Sequence, residues 1–183
     1  MKIKLQHTPY LSQKIARDLL KCDFVEVRKD KDSIIAEIER IIDADIENEN
    51  SLDEKVNTLL DNKEGDIEFY QADYKQLFWM AKKRLANENG VILNLEDRFS
   101  DISHKIIDFL WEEDYIHFTV SDNQVKNVIV GSFDIFVKGF EEADKCVYEK
   151  IKNYKRKLIP GTDDYQLVYN RLYEEELGKR GLL

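Results

Sequence analysis

An alternating run of oxygen-bearing side chains over residues 43–54 is the part of this sequence closest to a metal-binding motif. Asp43 and Asp45 begin the run, at the alternate positions that an EF-hand loop uses to hold Ca²⁺. Asn48, however, stands where that loop needs a glycine to make its turn. We therefore interpret the run as the solvated end of one helix followed by the capped start of another at Ser51, and we predict no metal site.

Two histidines, His104 and His117, each follow an aspartate by three positions. A helical two-metal site needs comparable pairs on two helices, together with inward-pointing glutamates. Asp114 instead lies where a helix is predicted to end, and His117 lies in an extended run, so we interpret both histidines as surface residues. The sequence has no glycine-rich phosphate loop, nucleophile elbow or cysteine–histidine pair at catalytic spacing. We predict no catalytic residue and no cofactor.

A basic run at residues 150–157 is the candidate for contact with nucleic acid. Its candidate contact residues are Lys150, Lys152, Tyr154, Lys155, Arg156 and Lys157. Cations on one helix face bind phosphates, and a tyrosine beside them can stack on a base. Cations in the last turns of a helix also complement the helix dipole, and this helix is expected to end before Pro160. Both interpretations stay open.

Five consecutive apolar residues at positions 77–81 cover every face of a predicted helix. The candidate interface residues among them are Leu77, Phe78, Trp79 and Met80. A helix that is apolar all round is either buried centrally or covered by another surface. We expect packing between the two halves of the chain to cover it, with a partner-binding groove or a homodimer as the functional alternative.

The composition restricts the class of partner and the compartment. The chain has 28 Lys and Arg residues against 37 Asp and Glu residues, and its net charge of −9 is unlike that of a dedicated nucleic-acid-binding domain. Cys22 and Cys146 are too few and too far apart for a disulfide framework or a zinc site. The most apolar window, residues 128–137, is too short to span a bilayer and contains Asp134. With no apolar secretion signal at the N-terminus, we expect a cytoplasmic protein without disulfides or a membrane segment.

The elements that carry these residues repeat along the chain with an offset of 91 positions. Leu19 falls on Leu110 at this offset, and other identical or chemically similar pairs follow without a gap. The offset predicts a tandem duplication of a helical module of about 90 residues, a period longer than that of solenoid repeats. The modules are residues 1–90 and 91–183. A feature found in only one module is then a candidate for function.

We predict an all-α fold with at most short β pieces. Only two Pro and seven Gly interrupt the chain, and the charged fraction of 36% suits amphipathic helices. Each module is predicted to contain a helix, a short extended run and then three helices. The extended runs, residues 24–27 and 115–118, favour β structure and could pair within or between modules. Asn94 and Thr162 are predicted helix N-caps, and Gly90 is a predicted helix stop.

Several strings of the sequence match a known bacterial family in their order and spacing. These strings are residues 7–11, 77–80, 110–114, 148–161 and 172–177. The chain resembles, over essentially its whole length, the family of Domain of Unknown Function 507. The resemblance implies a bacterial cytoplasmic protein. It implies no activity, cofactor or site residue, because the family has none assigned.

Two classes of function follow from these features. The leading hypothesis is a non-enzymatic helical adaptor that presents a helix face to a protein partner or to a second copy of itself. The alternative is a module that binds RNA or DNA through the basic run. An enzyme whose site is assembled across the two modules stays open as a third class.

Overall fold

The computed structural model of the chain describes residues 3–62, 73–154 and 158–182. Within these ranges it has six α-helices, a short 3₁₀ turn at Leu5–His7 and two three-residue strands. In chain order the elements are α1 (Thr8–Leu20), β1 (Val25–Val27), α2 (Lys31–Asp61), α3 (Tyr74–Asn89), α4 (Leu95–Glu112), β2 (Ile116–Phe118), α5 (Asp122–Lys152) and α6 (Asp163–Lys179). The prediction of a mostly helical fold with short β pieces is confirmed.

Local side-chain chemistry sets several helix ends where the sequence predicted them. The Asn94 side chain accepts a hydrogen bond of 3.1 Å from the backbone N–H of Asp97 at the start of α4. The Thr162 hydroxyl accepts one of 3.3 Å from the N–H of Tyr165 at the start of α6. Gly90 ends α3 with a φ of 66°, in the left-handed region that favours glycine. These three predictions are confirmed.

Three other predicted helix boundaries are wrong. Ser51 begins no helix, because α2 continues without interruption from Lys31 to Asp61. The apolar stripe of α2 is interrupted at Glu49, but that glutamate is buried and paired, so the same face continues. In the second half, α5 likewise replaces two predicted helices, and it ends at Lys152 rather than near residue 158.

One hydrophobic core joins both halves of the chain. Helix α1 packs against both α2 and α5, and α4 also packs against both of these long helices. Fully buried side chains such as Ile15, Ile38, Ile106 and Phe133 come from all four helices. Strand β1 pairs with β2 in antiparallel register, with Glu26 opposite His117. The extended runs therefore pair between the halves, one of the two arrangements that the sequence left open.

The C-terminal parts of the two long helices each carry one further helix. Helix α3 packs on α2, and α6 packs on α5 around a smaller cluster of Val147, Ile151 and Leu172. Both cysteines, Cys22 and Cys146, are free thiols. No helix in the described parts of the chain combines the length and the apolar character needed to cross a membrane.

Candidate functional site

Among the residues that the structure describes, five charged side chains meet where α2, α3 and α4 come together. Asp45, Glu49 and Asp53 stand one turn apart on α2, so helix geometry places their carboxylates on one face. Lys82 of α3 and Arg98 of α4 reach this face from the two neighbouring helices. We call these five residues the charged cluster. Lys82, Arg98 and Glu49 are buried, which is rare for charged residues unless they are paired.

Arg98 bonds two of the three carboxylates. Its Nε donates to Asp45 Oδ2 at 2.6 Å, and its Nη1 donates to Glu49 Oε2 at 2.5 Å. Burial acts to lower the pKa of Arg98, but the negative charges of Asp45 and Glu49 outweigh it and raise the pKa above its ordinary value. The guanidinium therefore stays charged in spite of its burial.

Lys82 completes the cluster from the opposite side. Its Nζ lies 2.8 Å from Glu49 Oε1 and 2.6 Å from Asp53 Oδ1. Burial acts to lower the pKa of Lys82, and the hydrogen bonds to Asp53 and Glu49 raise it instead. Glu49 thus accepts from both cations, one on each of its oxygens. The cluster ties α3 and α4 to the middle of α2.

A cavity of about 450 Å³ lies over the charged cluster. Its other walls are apolar and include Phe78 and Trp79 of α3, Leu93 of the segment that follows α3, and Leu95 and Ile102 of α4. A volume of this size and an apolar lining with a few converging polar groups are typical of small-ligand pockets. Trp79 is 49% exposed, and its ring centroid lies 5.5 Å from Lys82 Nζ.

The positions 91 residues away from the cluster hold aromatic groups in place of most of its charges. The counterparts of Asp45, Glu49, Lys82 and Arg98 are Phe136, Phe140, Tyr173 and His7. His7 is buried, and its ring packs on Phe140 with centroids 4.6 Å apart. One half of the chain therefore has an ion pair where the other has an aromatic pair. The comparison of the two halves could have found this difference from the sequence alone.

Only part of this site was predictable from the sequence. Asp45 and Asp53 belong to the acidic run that was compared with a calcium loop, but that run lies inside continuous helix α2 and forms no loop. Lys82 and Arg98 were not singled out. The sequence does carry a signal for this site. The carboxylates of Asp45, Glu49 and Asp53 recur at the helical spacing of four, next to buried residues of α2 such as Ile46.

The four candidate interface residues on α3 divide between two surfaces. Phe78 and Trp79 line the cavity over the charged cluster. Leu77 and Met80 instead line a second depression of about 560 Å³ on the other side of α3, facing α2. We call this second depression the outer groove. Leu59 lines it from α2, and Met80 is 63% exposed.

The described residues of the basic run contact carboxylates or another side chain. Lys150 donates to Glu176, and Lys152 donates to Glu149 at 2.7 Å. The Tyr154 hydroxyl accepts a hydrogen bond of 3.0 Å from Arg171. Because α5 ends at Lys152, the run is not one continuous helix face. The other candidate contacts, Lys155, Arg156 and Lys157, lie outside the described residues.

The histidines considered as metal ligands lie apart from the charged cluster. His104 is exposed on α4, and His117 lies in β2 with its ring stacked on Trp111 at a centroid distance of 4.5 Å. Across residues 3–62, 73–154 and 158–182, no three His, Cys, Asp or Glu side chains form a group suited to hold a metal ion.

These features define a helical protein with one shared core and a cavity above a buried charged cluster. The chain belongs to the family described as "Protein of unknown function (DUF507)", which matches residues 1–182. The resemblance seen in the sequence is thereby confirmed. A search of the curated proteins found no match to this chain.

Proposed function

We propose that this chain is a non-enzymatic interaction protein that binds an amphipathic helix of a protein partner in the outer groove. The observation that carries the proposal is the exposure of two apolar side chains on facing helices. Met80 of α3 is 63% exposed and Leu59 of α2 is 41% exposed, and both line the groove. Exposed apolar side chains that face each other across a groove favour contact with another surface.

The groove chemistry suits a helix with apolar anchors. Complete burial of an exposed apolar side chain such as Met80 stabilises a complex by about 1.5–3 kcal/mol before the cost of association. Methionine also adapts its shape to different partners. Arg84 and Glu88 line the same groove and offset each other's charge, since Arg84 Nε lies 3.7 Å from Glu88 Oε1. Recognition would therefore rest on anchors spaced one turn apart along the partner helix.

Affinity purification from the native cell extract, with nuclease present, tests this proposal. A Met80→Lys variant is expected to lose the bound protein because it places a charge in an apolar contact. Leu167→Lys is the matched control, since Leu167 is 74% exposed on α6 and lies away from the groove. Capture of the same proteins by wild type and Met80→Lys at equal yield would refute the groove as the binding surface.

A second copy of the chain is the other partner that the hypothesis allows. Light scattering of the purified protein separates this case from a different partner. A wild-type dimer that becomes monomeric in Met80→Lys, but not in Leu167→Lys, would identify the groove as a homodimer surface.

The alternative function is nucleic-acid binding, and one observation favours it. Tyr148 and Lys152 stand one turn apart on α5 and both are exposed, so a base-stacking ring and a phosphate contact lie side by side. The pairing of Lys152 with Glu149 weighs against it, because a phosphate would have to displace that carboxylate. Retention of RNA or DNA after purification of the wild type, and its loss in Lys152→Glu, would support this alternative.

We also propose that the chain is a tandem duplication with modules at residues 1–90 and 91–183. In support, α2 and α5 begin and end 91 positions apart, and so do β1 and β2. An alignment of family members, half against half, should reproduce this offset in most sequences. Its absence from the family would argue for coincidence.

A reducing bacterial cytoplasm is the compartment we propose. The support is the presence of two free thiols, Cys22 and Cys146, because free cysteines are typical of proteins kept in reducing conditions. Fractionation of the native cell, followed by detection of the protein with an antibody, tests the location. Recovery in the membrane or secreted fraction would contradict it.

A further inference from the structure

The N-terminal segment, residues 3–7, is held to the helical core by the side chains at its two ends. Ile3 and His7 are buried, whereas the three residues between them are exposed. Ile3 belongs to the core and lines the cavity over the charged cluster. The His7 ring packs on Phe140 of α5. The attachment of the segment therefore depends on one apolar side chain and on one ring that can take up a proton.

The hydrogen bonds of His7 show where that proton would go. Its Nδ1 accepts a hydrogen bond of 3.2 Å from the backbone N–H of Lys4, so Nδ1 carries no proton. The single proton of a neutral imidazole is then on Nε2, which lies 3.3 Å from the side-chain amide of Gln6. A second proton can add only at Nδ1. There it would point at the Lys4 N–H, and the bond that closes the turn would be lost.

We propose that protonation of His7 releases residues 3–7 from the core, so that the N-terminal segment opens as the pH falls. His7 is the N-cap of α1, where the helix dipole disfavours a positive charge. Release of the segment removes Ile3 from the wall of the cavity over the charged cluster and thereby widens its entrance. The segment does not line the outer groove, so this proposal is independent of the function proposed above.

The other half of the chain shows what a cation needs at this position. Arg98 stands 91 positions after His7, and it bonds the carboxylates of Asp45 and Glu49. The positions that correspond to these two carboxylates both hold phenylalanine, one of which is Phe140. The permanent cation therefore has counter-charges, whereas the histidine has an aromatic contact in their place. A charged His7 would be buried without the carboxylates that its counterpart uses.

The groups on its own segment and on α1 also oppose a charge on His7. Burial lowers the pKa of His7 below its ordinary value of 6.5, and the positive charge of Lys4 lowers it further. The first turn of α1 contains no acidic residue, and its titratable side chain is Tyr10. Of the residues that the structure describes, only Lys4 and Gln6 bond the ring, so no carboxylate stabilises its charged form by a hydrogen bond.

The neighbouring elements contribute groups that are neutral or already bonded. On α5, Asp144 lies one turn after the phenylalanine that contacts the ring, and it accepts a hydrogen bond from the Tyr169 hydroxyl. On α6, burial raises the pKa of Tyr173, which stays neutral. On α2, Ile46 and Asn50 line a depression against residues 3–6, and both are uncharged. The charged cluster lies at the other end of the segment, where its carboxylates bond its two cations.

The direction of the pH effect follows from the lowered pKa of His7. In the released segment the ring meets water and regains its ordinary pKa of 6.5, so the released form takes up the proton first as the pH falls. Attachment is therefore complete above pH 6.5 and weakens from there down to the lowered pKa of the attached form. Each pH unit within this window should favour release by up to about tenfold.

Amide hydrogen exchange of the full chain, followed by NMR, tests the proposal at about pH 7.5 and about pH 5.5. The reporters are the N–H of Lys4, which bonds His7 Nδ1, and the N–H of His7, which donates to the Lys4 carbonyl at 2.8 Å. Protection factors remove the intrinsic pH dependence of exchange. Those of both amides should fall by about three- to tenfold at the lower pH.

Two variants connect this loss of protection to the ring. His7→Gln has no group that can be protonated, so its two reporter amides should be equally protected at both pH values. His104→Gln is the matched control, because His104 is exposed on α4 and its replacement should leave the response of the wild type unchanged. Glu176 does not interfere, since its contribution to stability is lost only below pH 4.5.

Two results would overturn the inference. The first is equal protection of the wild-type segment at both pH values. The second is a loss of protection that persists in His7→Gln, which would assign the effect to another group. If His7→Gln does not fold, NMR titration of the His7 ring in the wild type decides: an apparent pKa below 6.5 supports the proposal, and one at or above 6.5 overturns it.

Discussion

Glu49 and Arg98 lie 49 positions apart in the sequence and are joined by a hydrogen bond of 2.5 Å between Oε2 and Nη1. This pair fastens α4 to the middle of α2, and it does so at the floor of the cavity. A buried ion pair stabilises a fold only when its geometry repays the desolvation of both charges. Here the second oxygen of Glu49 also accepts from Lys82, so one carboxylate serves two helices.

Replacement of Glu49 should therefore destabilise the protein strongly. Glu49→Gln removes the charge shared by Lys82 and Arg98 while keeping the side-chain volume. We expect a loss of about 3 kcal/mol in the free energy of unfolding, because two charge-assisted hydrogen bonds are weakened in a buried site. Urea denaturation measures the change. Glu47→Gln, at an exposed position of the same helix, should change stability by less than about 0.5 kcal/mol.

An equal effect of the two substitutions would mean that Glu49 contributes no more than a surface charge. In that case the charged cluster would also be too weakly held to form the floor of a binding site.

Much of the fold was predictable because it rests on local signals. Side-chain caps such as Asn94 and Thr162 act within one helical turn, and the stop at Gly90 depends on its own backbone angle. The false start at Ser51 has a physical reason too. A Ser followed by a Glu three positions later is a capping signature only if the preceding residues leave the helix, and here tertiary packing keeps α2 continuous.

The candidate site was far less predictable because it is assembled from three helices. Glu49 interrupts the apolar stripe of α2, and a lone glutamate in a stripe normally indicates exposure. Its burial follows from Lys82 and Arg98, which come from distant parts of the sequence and share no spacing with it. Two signals in the sequence could have indicated this face: the carboxylates at a spacing of four on α2, and the comparison with positions 91 residues away, where Phe140 packs on His7.

A pH dependence is expected at the junction of α5 and α6. Hydrogen bonds from Lys150 and Lys179 hold the pKa of Glu176 at about 2, below its ordinary value of 4.5. A carboxyl whose pKa is lowered on folding contributes stability above its unfolded pKa, and the contribution is lost as the pH falls through the folded value. The contribution of Glu176 should thus be complete at neutral pH and should disappear between pH 4.5 and about 2.

Urea denaturation of wild type and Glu176→Gln as a function of pH measures this contribution. The two curves should differ at neutral pH and converge near pH 2. The exposed neighbour Glu174 provides the control, since Glu174→Gln should follow the wild type throughout. A difference between wild type and Glu176→Gln that does not change with pH would show that the loss comes from packing rather than from the charge.

The salt dependence of binding separates the two functional proposals. Each phosphate contact that is lost should reduce the slope of log affinity against log salt by about 0.9 on double-stranded DNA and about 0.7 on a single strand. If the basic run binds nucleic acid, Lys152→Gln should flatten this slope by one such step. If the outer groove instead binds a protein partner through Leu59 and Met80, the affinity should change little over the same salt range, because it rests on apolar contact. Electrophoretic or anisotropy titrations at several salt concentrations supply the slopes.

The sharpest prediction exchanges four residues of the charged cluster for those found 91 positions away. The fifth, Asp53, already has an aspartate, Asp144, as its counterpart. The fourfold variant carries Asp45→Phe, Glu49→Phe, Lys82→Tyr and Arg98→His. Replacement of a buried ion network by apolar groups that pack well is often neutral or stabilising by about 1–4 kcal/mol, whereas removal of one member is costly. The variant should therefore be at least as stable as Glu49→Gln in thermal unfolding. A fourfold variant less stable than Glu49→Gln would mean that the α2–α3–α4 junction needs its charges to fold.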